Sequence, residues 1–276
     1  MTKPFCFSGN QILAADTAAI HPLDIGLIRG YAIFEFFRVD DFKPFFLEDY
    51  LNRFIASAKH THLPLAYGIE ELKKIVSELI EKNNLEQGGV RMVLTGGLSD
   101  NHFSPTTGSL FIFCEELQMP AQEKYEKGVK LVSEEYVRPL PSIKTTNYTL
   151  PVWLSAQWKE QNAEDVIYHF AGVISESSRS NIFMVKNGVL ATPKSNILHG
   201  ITRKNVIQIA EEVEERDITL TEILNADEVF MTATTKRILP VSQIDVTLIR
   251  DGLPGPVTRQ LMEKFRQLEM KEKADR

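Results

Sequence analysis

The sequence predicts an α+β protein built in two parts, and three observations carry that expectation. Strand-like apolar runs and helical apolar stripes are mixed along the chain without the strict alternation of a doubly wound sheet. Asn187-Gly188 between two apolar runs is a strong hairpin signal. The polar, proline-containing run from Glu115 to Lys127 interrupts both patterns. A boundary there gives a smaller N-terminal α+β domain over 1–117 and a larger one over 118–276.

In chain order, Phe5 to Phe7 and Gln11 to Ala14 flank Ser8-Gly9-Asn10 and read as an opening hairpin. Ile33 to Val39 is an apolar, aromatic strand, turned at Asp40-Asp41 toward a second strand, Pro44 to Leu47. A helix begins near Glu48-Asp49, since acids favour a first turn, with Leu51, Phe54, Ile55 and Ala58 as its stripe. Arg53 lies about 200° round from Leu51, off that stripe. Ile69 to Lys82 is a second amphipathic helix turning Leu72, Ile75, Val76 and Leu79 inward. Val90 to Thr95 and Ser109 to Cys114 read as strands joined by the turn-rich loop 96–105. Beyond the boundary come a strand (Val129 to Glu134), a helix (Leu150 to Gln161), a strand (Val166 to Phe170) and the hairpin Ile182 to Ala191. A helix from Thr202 to Glu214 buries Val206, Ile209, Ala210 and Val213. The strand Val229 to Thr232 and a helix from Val257 to Leu268 complete the reading, with Met270 to Arg276 as a frayed end.

Composition narrows the function classes. A hydrophobic content of 43% and a charged content of 25% are those of a soluble globular protein, and a net charge of −6 speaks against a nucleic-acid or anionic-membrane surface. No run of apolar residues is long enough to span a bilayer. The start is too poor in apolar residues for a signal peptide. Two cysteines without a CxxC suit the reducing cytoplasm. No G-x-S-x-G, H-E-x-x-H, P-loop or G-x-G-x-x-G occurs, and the six histidines have no ligand spacing.

The chemistry concentrates in three stretches. Lys144 stands in Ser142-Ile143-Lys144-Thr145-Thr146-Asn147-Tyr148. Glu176 follows thirty-two positions later, in Val173-Ile174-Ser175-Glu176-Ser177-Ser178. Leu198-His199-Gly200-Ile201-Thr202-Arg203 opens a helical pattern. A desolvated lysine amine can bond an aldehyde, a carboxylate can pair with a pyridinium nitrogen, and a helix N-terminus can hold a phosphate. Together these are the handles of pyridoxal 5′-phosphate. Taken singly, Lys144 reads first as a solvated charge, while Glu176 reads equally as a cap and the helix start equally as an exposed end facing water.

The set resembles the class IV, or fold-type IV, aminotransferases, a family that includes branched-chain and D-amino-acid aminotransferases and aminodeoxychorismate lyase. The likeness runs from about Asp24 to Gly255-Pro256-Val257-Thr258-Arg259. It implies a two-domain fold-type IV enzyme, a homodimer with its active site between domains, and pyridoxal 5′-phosphate as cofactor. It implies Lys144 as the Schiff-base lysine that also moves the proton, and Glu176 as partner of the pyridine nitrogen. Arg53, Ile201, Thr202 and Thr234 match the phosphate ligands, Leu198 the ring-face contact, and Tyr148 the partner of the ring hydroxyl.

Substrate contacts are implied at Arg29, Phe34, Arg91 and Thr235. Arg29 replaces the family's Tyr or Phe, Arg91 sits like the carboxylate-side arginine of branched-chain enzymes, and Gly96 falls where D-amino-acid enzymes place an arginine. Lys236-Arg237 matches neither the aminotransferases nor the lyase. Two or more of Arg29, Arg91, Lys236 and Arg237 in the pocket would imply a carboxylate-rich substrate; otherwise they are solvated. The resemblance thus implies an aminotransferase acting on a branched-chain-like amino acid or glutamate and a 2-oxo acid. The alternatives are 4-amino-4-deoxychorismate lyase, releasing pyruvate, and a non-catalytic cofactor-binding relative.

Overall fold

The structure, a computed structural model, describes residues 2–274. The chain forms two compact units. The first comprises Met1–Gln118, Ile143–Asn147 and Glu272–Arg276; the second comprises Met119–Ser142 and Tyr148–Lys271.

The first unit contains β1 (Thr2–Ser8), β2 (Gln11–Ala14), α1 (Ile25–Ile28), β3 (Ala32–Asp40), β4 (Lys43–Pro44), α2 (Leu47–His60), α3 (Ile69–Lys82), β5 (Gln87–Thr95) and β6 (Leu110–Glu115). Its strands form one antiparallel sheet in the order β2-β1-β6-β5-β3-β4. Glu48 and Asp49 at the start of α2, with Lys59 and His60 at its end, complement the helix dipole. Leu51, Phe54 and Ala58 of α2 are buried, as are Leu72, Val76 and Leu79 of α3, whereas Ile55 and Ile75 sit half-buried at the stripe edges. The lysine segment belongs here although it lies beyond 117. Ile33 bridges Thr145, Phe34 N–H donates to Lys144 O at 2.9 Å, and Thr146 N–H donates to Ala32 O at 3.0 Å. These bonds extend the register of β3 and fix the backbone of Lys144 against it.

The second unit contains α4 (Gln122–Lys127), β7 (Val129–Glu135), α5 (Thr149–Glu160), β8 (Asp165–Phe170), β9 (Val173–Ser177), β10 (Asn181–Lys186) and β11 (Val189–Pro193). It continues with α6 (Ile201–Ile209), β12 (Glu214–Arg216), α7 (Leu220–Leu224), β13 (Glu228–Ala233), β14 (Arg237–Ile244), β15 (Thr247–Leu248) and α8 (Pro256–Ala274), which belongs to this unit as far as Lys271. The sheet order is β12-β11-β10-β13-β14-β7-β8-β9, with β15 on β14. Asn187 and Gly188 both take positive φ (51° and 81°), as a type I′ turn requires, and close the β10–β11 hairpin. Leu131, Ile167, Ile182, Met184, Met231 and Leu239 share its main core, and Phe183 stacks on Phe230 at 5.0 Å. Among the described residues no helix is long and apolar enough to cross a membrane.

One helix is shorter than its pattern. The stripe predicts a helix to Glu214, but α6 ends at Ile209, Ala210 turns extended, and Glu214–Arg216 form β12 parallel to β11. The cause lies outside the segment. Arg203, buried on α6, pairs with Glu215 at 2.8 Å, and β11 offers an edge to Glu214, Glu215 and Arg216.

Candidate active site

Within the second unit, Glu176 is the next-to-last residue of β9, and its side chain is 5% exposed. Arg138 donates from Nε to Oε1 at 2.6 Å, and Leu198 N–H donates to Oε2 at 2.9 Å. Arg138 also donates from Nη2 to Pro141 O at 2.6 Å. A charge-assisted bond and a main-chain donor together hold the carboxylate aimed. Tyr148 precedes α5 and is half-buried. Burial pushes its phenol above the usual range, with the charge of Arg138 pulling it back and Glu176 reinforcing the rise. The phenol therefore stays protonated and able to donate. Sequence reading missed Arg138, and nothing local marks it: its partner lies 38 positions on.

The strap from Leu198 to Gly200 leads into α6. Asn181 Nδ2 donates to Leu198 O at 2.7 Å, and Asn181 Oδ1 occupies the space that a Cβ on Gly200 would need. Gly200 is the N-cap and supplies no side-chain cap. The first main-chain bond into the helix comes from Lys204 N–H to Gly200 O. The N–H groups of Ile201 and Thr202 find no acceptor among the described residues, which leaves them for an anion. Arg203 turns away from this end toward Thr192, Pro193 O and Glu215, so its charge is met by Glu215 and little opposes the helix dipole. The β13–β14 turn carries Thr234 and Thr235, both half-buried, and Lys236 N–H donates to Ala233 O at 3.1 Å across it. An aimed carboxylate beside a protonated phenol, an uncapped helix start and a hydroxyl-bearing turn suit a pyridine ring with a phosphate arm. The residues present fit pyridoxal phosphate.

Within the first unit, Lys144 is half-buried, with Nζ 4.5 Å above the Phe34 ring. Arg91 lies over Phe34 and Phe36, at 5.5 and 4.9 Å, and is clamped by Glu115 through Nε at 3.2 Å and Nη2 at 2.6 Å. Arg53 leaves the apolar stripe of α2, as its angle predicts, and makes a bidentate pair with Glu35 at 2.8 and 2.7 Å. Glu35, 1% exposed, was not singled out in the sequence. Arg29 ends α1, exposed, and donates to His102 O at 3.3 Å.

Of the four cations weighed for a carboxylate-rich substrate, three have carboxylate partners inside the protein. Arg91 pairs with Glu115, Arg237 with Glu269 at 2.8 Å, and Lys236, buried, with Asp165 at 2.8 Å. Lys236 is therefore a buried, paired charge, whereas Arg237 is paired with Glu269 but stays exposed to solvent.

Comparison with known proteins places the chain. The amino-transferase class IV model matches residues 32–244. The chain belongs to the class IV aminotransferase family. The family is one of pyridoxal-phosphate enzymes, and this member is an enzyme of that kind with two sheets in the fold-type IV arrangement. Its sequence is 34% identical to D-alanine aminotransferase of Staphylococcus haemolyticus, over 96% of this chain and 97% of that one. The fold matches branched-chain amino acid aminotransferase of Escherichia coli at a TM-score of 0.90 and 27% identity, covering 96% and 94% of the two chains. It also matches a putative 4-amino-4-deoxychorismate lyase of Legionella pneumophila at 0.84 and 25% identity, covering 92% and 96%.

Proposed function

We propose that this class IV enzyme carries pyridoxal 5′-phosphate on Lys144 and moves an amino group from an amino acid to a 2-oxo acid. The donor class is branched-chain-like amino acids or glutamate. The observation that carries the reading is the Glu176 carboxylate, buried and fixed by Arg138 and the Leu198 N–H. The cofactor, when bound, supplies a protonated ring that accepts the electrons of a Cα–H bond. Glu176, aimed by Arg138, would accept the hydrogen bond from the ring nitrogen and hold the proton there. Lys144 Nζ takes the proton from the donor's Cα; Phe34 beneath it limits the directions from which water can solvate the amine. The N–H groups of Ile201 and Thr202, the Thr234 hydroxyl and Arg53 hold the phosphate, and Glu35 orients the Arg53 guanidinium. Leu198 would contact the ring, and Tyr148 would donate to its phenolic oxygen. Arg29, Phe34, Arg91 and Thr235 contact the substrate. The enzyme works as a cytoplasmic homodimer.

A panel of L-, D- and aromatic amino donors, followed by loss of cofactor absorbance in a single turnover, tests this reading. L-branched-chain donors or L-glutamate should react, and a 2-oxo acid should restore the absorbance. The likeness to a putative lyase keeps a second reading open. Release of pyruvate from aminodeoxychorismate with no 2-oxo acid consumed would establish that one instead.

A further inference from the structure

One buried ion pair in the second unit remains outside the roles assigned above. Asp165 opens β8 with 0% exposure, and Lys236 closes the β13–β14 turn with 5%. Lys236 Nζ lies 2.8 Å from Asp165 Oδ2. The other carboxylate oxygen accepts from Ser178 Oγ at 2.5 Å and from Val166 N–H at 2.9 Å. Lys236 Nζ also donates to Ser180 Oγ at 3.4 Å. Ser178 and Ser180 belong to the turn directly after Glu176, closed by Ser177 N–H to Ser180 O at 2.8 Å. The backbone of Lys236 is held as well, by Tyr125 OH donating to its carbonyl at 3.0 Å and by its own N–H on Ala233 O.

Taking two charges out of water is an expensive way to fill a core, and apolar residues of similar volume stabilise as well or better. An ion pair with this many partners fixes direction and distance, which hydrocarbon packing does not. Lys236 sits in one turn; Asp165, at the start of β8, is tied through Ser178 to another, which Lys236 also reaches at Ser180. The first turn bears Thr234 and Thr235; the second bears Glu176 at its head.

We infer that Asp165 and Lys236 are positioning residues that bolt the Ser177–Ser180 turn to the Ala233–Lys236 turn, fixing Glu176 relative to Thr234 and Thr235. The inference rests on the proposed function for its catalytic meaning. The ammonium of Lys236 is a strut behind the turn and contacts no substrate. The bolt has two hydroxyl fasteners on one side, Ser178 on the anion and Ser180 on the cation. Loosening either side is therefore felt on the other.

The test uses the full chain and compares the parent with Asp165→Asn/Lys236→Met, which removes both charges and leaves neither one buried alone. Hydrogen exchange is followed by mass spectrometry in peptides spanning the two turns, without cofactor. Pyridoxal phosphate titration and the split between kcat and KM are then measured. Exchange should rise at least tenfold in both turns together. Cofactor affinity and kcat should each fall at least tenfold, with KM changed less. Parental exchange in both turns, or loosening confined to one, overturns the inference.

Should the double variant fail to fold, Ser178→Ala removes one hydroxyl and no charge. It should raise exchange at Thr234 to Lys236 as well as in its own turn, and an effect limited to its own turn is a negative answer. A parent that binds no pyridoxal phosphate defeats the proposed function, while the exchange result still decides whether the turns are coupled.

Discussion

Glu176 and Arg53 each answer to a second charged residue, and that changes what their substitution does. Glu176→Gln can keep the bond from Leu198 N–H, but it then turns its amide N–H toward Arg138 Nε, and it removes the anion that would hold a ring proton. The expected loss is at least two factors of ten in kcat, each about 1.4 kcal/mol, with near-parental cofactor affinity. Steady-state rates beside a cofactor titration check it. Arg53→Ala acts on stability as well as binding, because Glu35 would remain 1% exposed without its guanidinium. Breaking such a pair from one side costs about 3–5 kcal/mol. The double variant Arg53→Ala/Glu35→Gln should recover most of that in urea unfolding, yet still lose cofactor on dialysis. Recovery of both properties would remove Arg53 from the phosphate.

Among the elements, the hairpin β10–β11 is legible because Asn187-Gly188 allows little else, and α2 and α3 because their stripes are regular. The end of α6 is not legible, since Arg203 recruits Glu215 and β11 supplies a strand edge. Neither is β14, where Pro240 interrupts a mixed run. The site divides in the same way. Lys144, Glu176 and the helix start announce themselves through short motifs. Arg138, Glu35 and Asp165 are defined by partners 38, 18 and 71 positions away, and no local pattern carries them.

The helix start and the buried pair each give an element-scale expectation. Gly200→Ala drives a Cβ into Asn181 Oδ1, and such overpacking costs about 1–3 kcal/mol; a lower melting temperature and weaker cofactor binding should accompany it. At Asp165, burial alone would raise the carboxyl, but the charge and hydrogen bond of Lys236, with Ser178, more than offset it and hold it below its usual range. Its contribution to stability is present above the unfolded value of about 3.9 and is lost as pH falls through the lower folded value. Urea midpoints measured down the acid range should fall for the parent there and show a flatter limb in Asp165→Asn.

At the scale of the whole molecule, each unit closes its own sheet and core, and the proposed roles fall in both: Lys144, Arg53 and Glu35 lie in the first, Glu176, Tyr148, Arg138, the α6 start and the Thr234 turn in the second. Both cysteines lie buried in the first unit, and burial pushes the Cys114 thiol up to about 12. Neither should react with iodoacetamide until the fold opens, so alkylation reports unfolding of that unit. Light scattering at twice the chain mass is the expectation for the proposed homodimer. The most direct test of the account reduces the purified, cofactor-loaded protein with borohydride and maps the adduct by mass spectrometry. The expected result is pyridoxyl phosphate fixed on the peptide containing Lys144, and none in Lys144→Ala. An adduct on another lysine, or a yellow protein that yields no adduct at all, would contradict it.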